Sequence, residues 1–581
     1  MNYRIKQESI LKVVKILAVL GLFVSLLLFI PQIRNLIIDF AEFSLKKQLV
    51  REFWQETIIE YALIFSVSLF FFSITFFKPI LKYQKQILLI TCIVGLLLSL
   101  IAVFSIFFYS RSLWFDEAFV AASVVPRSWS ELLASPLEYI QSAPALYIVV
   151  VKFLASIFNY SECGLRLFSF LAYFGTLILL TVLLKSMNFN KLKILFIVCL
   201  TALTPAYIYY SNELKPYMGD AFFCVLTFLL YWLYLQKRLK LWIISIIYCV
   251  ILLFCSPAIF YVGGIFIIEF ISAIKGKNKK LILTVIIIGI CILLFFACYY
   301  FLWLSAPIEK ILILFGKRTW KTIVFGIIYI FRPHDPNNSN YLWFFVPIAI
   351  MGIYYAIKQN NKFYNAIIIS ILLTIIANIM GRWPSMGRLW LFLPFMIFIL
   401  STNTYEFLKK INKKNIIYAF SIFIISCLCI NLIFRYQYLK IRFKTEISPL
   451  ISFVQKNIKE DEKLFVFAYS SESFRYYNDY GPNKNKNIPD SNIIWGHSVN
   501  QWIKTFETIE YDKNTQNRTS DYDAILKHKK VYLLFSFHPP PRRNCLKTHP
   551  LIGLDYLKQH GKLTKILDVY GTPLYYFERY E

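Results

Sequence analysis

The chain has 581 residues, of which 58% are hydrophobic, 18% aromatic and only 16% charged. These proportions exclude a single soluble domain and an intrinsically disordered chain. The formal net charge is +29, but most basic residues lie in short runs between long apolar stretches, which indicates a membrane protein rather than a nucleic-acid-binding one.

Thirteen apolar segments approach the roughly 20 residues that a helix needs to cross a bilayer core. They lie near residues 11–30, 60–77, 87–109, 163–184, 193–210, 217–235, 241–255, 258–274, 281–303, 341–357, 363–380, 388–405 and 415–434. Several basic residues surround the first segment, which is too long for a removable signal peptide. We therefore expect an uncleaved anchor with a cytoplasmic N-terminus.

Basic residues return in every second loop, as expected of loops on the cytoplasmic side. An odd number of spans then puts the C-terminal tail outside, together with the loops at 31–59, 110–162 and 304–340. We interpret the loop at 31–59 as an amphipathic connector. Segment 144–158 is apolar but short and contains Lys152, and a span there would invert every later loop. We predict that it forms an interfacial helix on the outer surface.

From about residue 435 the composition becomes that of a soluble protein, with charged residues, Asn, Gly and Pro. KLFVFAY and VYLLFSF are typical of buried strands, LTKILDVYG and TPLYYFERY of a hairpin, and 446–459 and 550–560 of helices, with Gly561 as a C-cap. The predicted fold is a polytopic α-helical membrane protein of about 13 transmembrane helices with a small extracytoplasmic α/β C-terminal domain. No dinucleotide-binding or P-loop motif occurs, and no pair of cysteines has the spacing of a zinc site.

The sequence RSLWFDEAFVAAS follows the third predicted span and places Asp116 and Glu117 just beyond the membrane edge. Carboxylates cost free energy near hydrocarbon, so their presence there favours a function. Alternatively, Asp116 caps a surface helix that begins at Glu117. The residues alone leave these two interpretations open.

Charged residues also follow the fifth predicted span, in TPAYIYYSNELKPYMGDAFF, which brings Glu213, Lys215, Tyr217 and Asp220 to the same outer face. Such a group of carboxylates and a cation can form a site. The more common interpretation is that Lys215 and Asp220 snorkel or cap helix ends.

Two arginines, Arg382 and Arg388, lie in GRWPSMGRLWLFLP between the eleventh and twelfth spans. Arginine is disfavoured in loops on the extracytoplasmic side of the membrane, but its guanidinium group is suited to bidentate phosphate binding. With Trp383 and Trp390 these arginines could instead anchor the helices at the interface. In FRPHDPNNSN, His334 and its acidic neighbour could help to bind a divalent metal, although a solvated turn explains this segment better.

These fragments, in this order, resemble the membrane glycosyltransferases of the GT-C fold, particularly the bacterial branch similar to protein O-mannosyltransferases and aminoarabinose transferases. The similar segments, which together cover most of residues 87–480, are LWFDEAF, SAPALYIVVVKFLASIFNYSECGLRLFS, YYSNELKPY, GRWPSMGRLWLFLP and FRYYNDYG. Lys215 stands where the family usually has Arg, which loses the guanidinium fork. Residues 1–86 precede the usual core, so the resemblance implies a division into 1–86, 87–434 and 435–581.

The resemblance implies a sugar donor on a polyprenyl phosphate and a lipid, glycan or protein acceptor outside the cytoplasm. Asp116 would be the general base, and Glu117 and Glu213 would orient the base or the acceptor. Arg388, with Lys215 as a weaker second, would hold the leaving phosphate, while Tyr217, Arg382 and His334 complete the expected binding set. Arg166 is expected to support the loop by pairing with Glu162 or Asp116. The expected location is a bacterial inner membrane.

Other classes of function remain open from the sequence. A carrier or a flippase for lipid-linked saccharides also needs many spans and charged residues, although the chain shows no inverted repeat. A receptor or scaffold would bind its partner through the C-terminal tail. The identity of the sugar, the acceptor and any divalent metal is not encoded in a recognisable motif.

Overall fold

The computed structural model describes residues 82–135, 137, 141–305, 346–383, 387–410, 414–439, 446–467, 470–481, 488–496, 520–535, 554–569 and 572–581. The first two predicted spans, the loop at 31–59 and the loop with His334 lie outside these ranges.

The described chain begins with the helix α1 (Gln84–Tyr109) and continues through two short helices, α2 (Phe115–Val124) and α3 (Trp129–Ala134). Next come α4 (Ala145–Ile157), α5 (Glu162–Ser186), α6 (Lys191–Ala202), α7 (Pro205–Tyr210) and α8 (Tyr217–Leu235). The bundle is completed by α9 (Leu241–Phe254), α10 (Ala258–Lys275), α11 (Lys279–Tyr299), α12 (Val346–Gln359), α13 (Lys362–Ile379), α14 (Leu393–Lys410) and α15 (Lys414–Leu439).

Six helices in the described ranges are long and apolar enough to cross a membrane: α1, α5, α8, α10, α13 and α11 with its π-helical extension Tyr300–Leu304. Their exposed faces are apolar. In α11 the exposed side chains include Leu283, Ile287, Ile290 and Leu294. A soluble helix would carry polar residues there, so this surface is suited to lipid contact. The chain is therefore a membrane protein.

The predicted span at 193–210 is two helices, which is a correction to the sequence prediction. Leu203 and Thr204 separate α6 from α7, and Thr204 is extended with φ −60° and ψ 115°. Proline disfavours a helical conformation in the residue before it, so Pro205 ends one helix and starts the next. The predicted span at 388–405 likewise starts with a 3₁₀ turn, Gly387–Trp390, before α14 begins.

Helix α4 occupies the segment that we predicted to be interfacial. Its 13 residues span about 20 Å at 1.5 Å per residue, which is shorter than a bilayer core. Lys152 is buried in the protein and points at the C-terminal end of α2. The location of α4 relative to a membrane stays a prediction.

Close helix packing in the bundle depends on small residues. A Cβ on Gly264 of α10 would lie 2.3 Å from Ser370 Oγ and 2.8 Å from Ser370 N on α13. Only glycine allows this approach of the two backbones, so Gly264 fixes α10 against α13.

Residues from 446 onward form a five-stranded mixed sheet with short helices. Its strands are β1 (Lys463–Val466), β2 (Ile493–Trp495), β3 (Lys530–Leu534), β4 (Gly561–Val569) and β5 (Thr572–Arg579). The order is β2-β1-β3-β5-β4, with β1 parallel to β2 and β3, and β5 antiparallel to β3 and β4.

The strand and hairpin predictions thus coincide with observed strands, and the helices are α16 (Ser448–Asn457), α17 (Ser471–Arg475), α18 (Ser520–Leu526) and α19 (554–560). Gly561 differs from its predicted role as a C-cap, because it is the first residue of β4. A Cβ there would lie 2.4 Å from Glu578 O of the neighbouring strand, so the strand pairing requires glycine.

Candidate active site

Several helix ends meet at one end of the bundle and enclose a group of charged side chains. Helix α1 ends at Tyr109 and α5 begins at Glu162, while α7 ends at Tyr210 and α8 begins at Tyr217. The connecting segments 110–114 and 211–216 and the turn Gly387–Trp390 contribute the polar groups. The structure therefore brings together the three segments that the sequence analysis selected separately.

Helix α2 carries both candidate carboxylates in its first turn. The helix starts at Phe115 with Trp114 as N-cap and without a capping side chain, so Asp116 does not have the alternative capping role considered from the sequence. Carboxylates are favourable near a helix N-terminus. Because consecutive helical residues point about 100° apart, Asp116 and Glu117 face different neighbours.

Glu117 is the centre of a buried ion network. Arg166 donates from Nε to Oε1 at 2.9 Å and from Nη2 to Oε2 at 2.7 Å, and Arg111 Nη2 lies 3.5 Å from Oε2. The backbone N–H of Leu214 donates to Oε1 at 2.8 Å. Burial alone would raise the pKa of Glu117, but Arg166 and Arg111 lower it to about 2. Glu117 is therefore ionised, and both of its carboxylate oxygens accept hydrogen bonds from protein groups.

The partner of Arg166 differs from the sequence expectation, which named Glu162 or Asp116. The guanidinium of Arg166 forms its bidentate pair with Glu117 instead. The reason is the geometry of α2, on which Glu117 faces α5 while Asp116 turns toward Lys215 and Arg388.

Glu213 extends this network by one residue. Its Oε1 accepts a hydrogen bond from Arg111 Nη2 at 3.2 Å, and the same Nη2 lies 3.3 Å from the carbonyl of Asn212. Glu213 is 1% exposed. Arg111 therefore links the segment after α1 to the segment before α8 through Glu213 and the carbonyl of Asn212.

Asp116 occupies the more open half of the site. Its Oδ2 lies 3.1 Å from Lys215 Nζ and 3.6 Å from Arg388 Nη1, and Oδ1 accepts a hydrogen bond from Gln141 Nε2 at 3.0 Å. The side chains of Asp116 and Arg388 are 13% and 23% exposed, against 0% for Glu117. A ligand can therefore reach Asp116 and Arg388, whereas Glu117 is sealed.

Lys215 is held on two sides. Its Nζ donates to Gln141 Oε1 at 2.5 Å as well as pairing with Asp116, and its carbonyl accepts from Ser169 Oγ at 3.0 Å. Burial lowers the pKa of Lys215, and the Asp116 carboxylate opposes this shift. Gln141 thus bridges the cation and the carboxylate and fixes their separation.

An aromatic wall borders the arginine. The guanidinium carbon of Arg388 lies 5.8 Å from the centre of the Tyr217 ring, and Tyr217 meets Tyr210 edge to face at 5.2 Å. The cation–π contact orients Arg388 beside Asp116. Tyr217 therefore lies beside Arg388 in this cluster.

Of the two other predicted residues, one lies away from this cluster and one is not described. Arg382 follows α13 with an exposed side chain, and its backbone N–H bonds to the carbonyl of Ala377. His334 lies outside the described residues. In the described part of the chain, no three or more His, Cys, Asp and Glu side chains are grouped so that they could hold a metal ion.

The sequence analysis did not single out Arg111 and Gln141, which complete the site. Arg111 lies five residues before Asp116 at the end of an apolar span, where a charged residue was a usable signal. Gln141 is uncharged and lies in a connector, so only its position between Asp116 and Lys215 reveals it.

Comparisons with known proteins gave matches by structure alone. No family model and no curated protein matches the chain. The crystal structure of ArnT from Cupriavidus metallidurans in the apo state is similar with a TM-score of 0.47 and 8% identity, over 83% of this chain and 97% of that one. A second structure of that protein, bound to undecaprenyl phosphate, has a TM-score of 0.45 and 10% identity over the same shares of the two chains. ArnT is an aminoarabinose transferase, the class that the sequence motifs resemble.

Proposed function

We propose that the protein is an integral-membrane glycosyltransferase that moves a sugar from a polyprenyl-phosphate donor to an extracytoplasmic lipid, glycan or protein acceptor. The observation that carries the proposal is the position of Asp116 at 3.1 Å from Lys215 Nζ and 3.6 Å from Arg388 Nη1. A proton acceptor directly beside two cations matches what this reaction needs: a base for the acceptor and a binding site for the leaving phosphate.

The two cations supply the phosphate site. Arg388 can offer a planar fork of N–H donors, and its side chain is the more exposed of the two. Lys215 adds a point charge. Both cations neutralise Asp116, so an arriving phosphate competes with Asp116 for them. Donor binding thus frees the Asp116 carboxylate for proton transfer.

In the reaction, Asp116 takes the proton from the acceptor's hydroxyl or amine. The acceptor atom then forms a bond to the anomeric carbon, while the bond from that carbon to the phosphate oxygen breaks. The bonding pair leaves with the polyprenyl phosphate, whose new charge Arg388 and Lys215 stabilise. A single displacement of this kind inverts the anomeric configuration.

Glu117 takes no proton in this mechanism. Its carboxylate oxygens accept from Arg166 and Leu214, and its pKa is held at about 2 by Arg166 and Arg111 against the effect of burial. The role that fits these contacts is to hold α2 in place, and Glu213 does the same for the segment before α8 through Arg111. We place the site at the outer face of a bacterial inner membrane, in the core 87–434 of the predicted division.

The deciding experiment uses Asp116→Asn in membranes supplied with radiolabelled polyprenyl-phosphate sugars. Loss of a general base lowers the rate by about 10²- to 10⁴-fold, so label transfer should nearly vanish while photo-crosslinking of the donor persists. Asp479→Asn, which changes an exposed carboxylate that accepts a hydrogen bond from Asn478 Nδ2, is the control. Undiminished transfer by Asp116→Asn would remove the residue from the mechanism. A wild type that moves a lipid-linked saccharide across the bilayer without transferring sugar would support the carrier.

A further inference from the structure

The segment that leads into the candidate catalytic helix has no regular secondary structure. Residues 111–114 lie between α1 and α2 and are buried. Buried backbone N–H and C=O groups need hydrogen-bond partners, and here neither a helix nor a sheet supplies them. The side chains that do so come from two different parts of the chain.

The carbonyl groups of Arg111 and Ser112 are held from the membrane bundle. Arg166 on α5 donates from Nη1 to the carbonyl of Arg111 at 2.7 Å and from Nη2 to the carbonyl of Ser112 at 3.2 Å. The same arginine holds Glu117, so it fixes both the approach to α2 and the first turn of α2.

The N–H groups are held from the part of the chain that contains the sheet. The N–H of Ser112 donates to Glu446 Oε2 at 3.3 Å and its hydroxyl donates to the same atom at 2.9 Å. The N–H of Leu113 donates to the hydroxyl of Tyr477 at 2.8 Å. Tyr477 is 0% exposed, and the partners are 334 and 364 residues apart in the sequence.

Further hydrogen bonds hold Glu446 in place and add contacts to residues 111–114. The carbonyl of Glu446 accepts from Thr572 Oγ1 at 2.9 Å, at the first residue of β5, and Ser448 N donates to Ser112 Oγ at 3.1 Å. Ser473 Oγ on α17 donates to the carbonyl of Leu113 at 3.4 Å. The part of the chain that contains the sheet therefore contacts residues 111–114 through several independent hydrogen bonds rather than through one flexible side chain.

We propose that Glu446 and Tyr477 are positioning residues of the active site, through which the C-terminal domain sets the place of Asp116. This inference rests on the proposed function. Asp116 lies three residues beyond Leu113, at the second position of α2. A shift of the Leu113 backbone therefore moves the carboxylate relative to Lys215 and Arg388. The C-terminal domain acts on catalysis by holding the catalytic helix, apart from any contact with the acceptor.

The chain offers a matched pair of tyrosines for the test. Tyr476 is also 0% exposed, but its hydroxyl donates to the carbonyl of Tyr160, which precedes α5 and is not part of the catalytic segment. Tyr477→Phe and Tyr476→Phe each remove one buried hydroxyl from neighbouring positions. A purely structural role predicts similar effects of the two changes.

Transfer kinetics and thermal stability of the full-length protein are measured for both variants. A misplacement of about 1 Å can cost about 10²-fold in rate, so Tyr477→Phe should lower kcat by roughly ten- to a hundred-fold, with the KM for the donor changed less than about threefold. Tyr476→Phe should keep kcat within about twofold of the wild-type value, although its melting temperature should fall by about as much as that of Tyr477→Phe. Equal kcat in the two variants at equal melting temperature would overturn the proposal.

Glu446 provides a second pair of variants. Glu446→Gln keeps an oxygen that can accept the hydrogen bonds that Ser112 donates to Glu446 Oε2. Glu446→Leu keeps the volume and removes the acceptor. The rate should be retained in Glu446→Gln and fall in Glu446→Leu, whereas an equal fall in both contradicts the proposal.

Hydrogen exchange separates this inference from the proposed function. Amides of α2 beyond its first turn, from Phe119 to Val124, should exchange faster in Tyr477→Phe than in Tyr476→Phe, because the helix has lost its fixed start. This readout needs no substrate. If the wild type shows no transferase activity, the proposed function is rejected, but hydrogen exchange still tests the positioning role. Unchanged hydrogen exchange in α2 rejects the positioning role.

Discussion

Arg166 and Glu117 form a bidentate ion pair, with Nε–Oε1 at 2.9 Å and Nη2–Oε2 at 2.7 Å. Their side chains are 3% and 0% exposed. Arg166 comes from the second turn of the membrane-spanning helix α5 and Glu117 from the first turn of α2. The pair therefore fastens the catalytic helix to the bundle at the place where the base must be located.

Removing one partner of this pair should destabilise the fold. Breaking a buried pair leaves an uncompensated charge, which typically costs about 3–5 kcal/mol. Arg166→Met should therefore lower the unfolding free energy by about 3 kcal/mol or more. Thermal unfolding in detergent measures the change. The control is Arg475→Met. The side chain of Arg475 is 47% exposed and lies 3.2 Å from Glu472. Exposed ion pairs contribute about 1 kcal/mol or less. Equal shifts in the two variants would contradict the role of the buried pair.

The same pair predicts a loss of stability in acid. Burial would raise the pKa of Glu117, but Arg166 and Arg111 depress it from 4.5 to about 2. A depressed pKa means that the unfolded chain binds the proton first, so the stabilisation is complete above pH 4.5 and is lost as the pH falls toward 2.

Melting temperatures measured from about pH 6 down to about pH 3 test this pH dependence. The wild type should lose more stability over this range than Glu117→Gln, which cannot be protonated. Glu578→Gln, which changes an exposed carboxylate 3.8 Å from Lys530, should retain the wild-type pH profile. Parallel profiles of the wild type and Glu117→Gln would disprove the assignment.

Lys215→Met should weaken donor binding. The proposed phosphate site loses a charge-assisted contact of about 1.5–3 kcal/mol, which predicts a roughly 10- to 100-fold lower affinity. Photo-crosslinking titration with the polyprenyl-phosphate sugar measures this affinity. The control is Lys193→Met, because Lys193 is another largely buried lysine, 9% exposed and 3.4 Å from Glu406 on α14. Unchanged affinity in Lys215→Met would remove Lys215 from the phosphate site.

Much of the fold follows from the sequence because the membrane imposes a simple rule on helix length and hydrophobicity. Each predicted apolar segment from 87 onward coincides with described helix, and the differences arise where local geometry overrides composition, as at Pro205. The number of 13 spans stays a prediction, because the first two lie outside the described residues and six helices of the described residues are long and apolar enough to cross a membrane. Four of the five strands were also predicted from local patterns. The strand β2 was not predicted, and the strand order depends on contacts that no local pattern encodes.

The site was predictable to the extent that charge at a membrane edge is unusual. This signal located Asp116, Glu117, Glu213, Lys215 and Arg388. It could not decide which carboxylate faces which cation, because a turn of 100° between neighbouring helical residues determines that. Gln141 and Tyr477 carry no charge signal, and Tyr477 meets Leu113 across 364 residues.

The other end of α2 depends on Lys152. Its Nζ donates to the carbonyls of Val124 at 3.0 Å and Val125 at 3.2 Å, and also to that of Arg127. These carbonyls end the helix or follow it and have no continuing helical partner, so the buried ammonium group acts as a C-terminal cap. Lys152 thus holds the C-terminal end of α2, as Arg166 holds its N-terminal end.

Lys152→Met should therefore lower both stability and transfer. Leaving buried carbonyls without a donor costs about 1–3 kcal/mol, and the loss should appear as a lower melting temperature. The control is Lys185→Met, since Lys185 is exposed in the last turn of α5. Transfer by Lys152→Met should fall less than in Tyr477→Phe, because the cap lies two turns of helix away from Asp116 while Tyr477 lies beside the start of the helix. A larger loss in Lys152→Met would mean that the C-terminal end of α2, rather than its beginning, determines the position of the base.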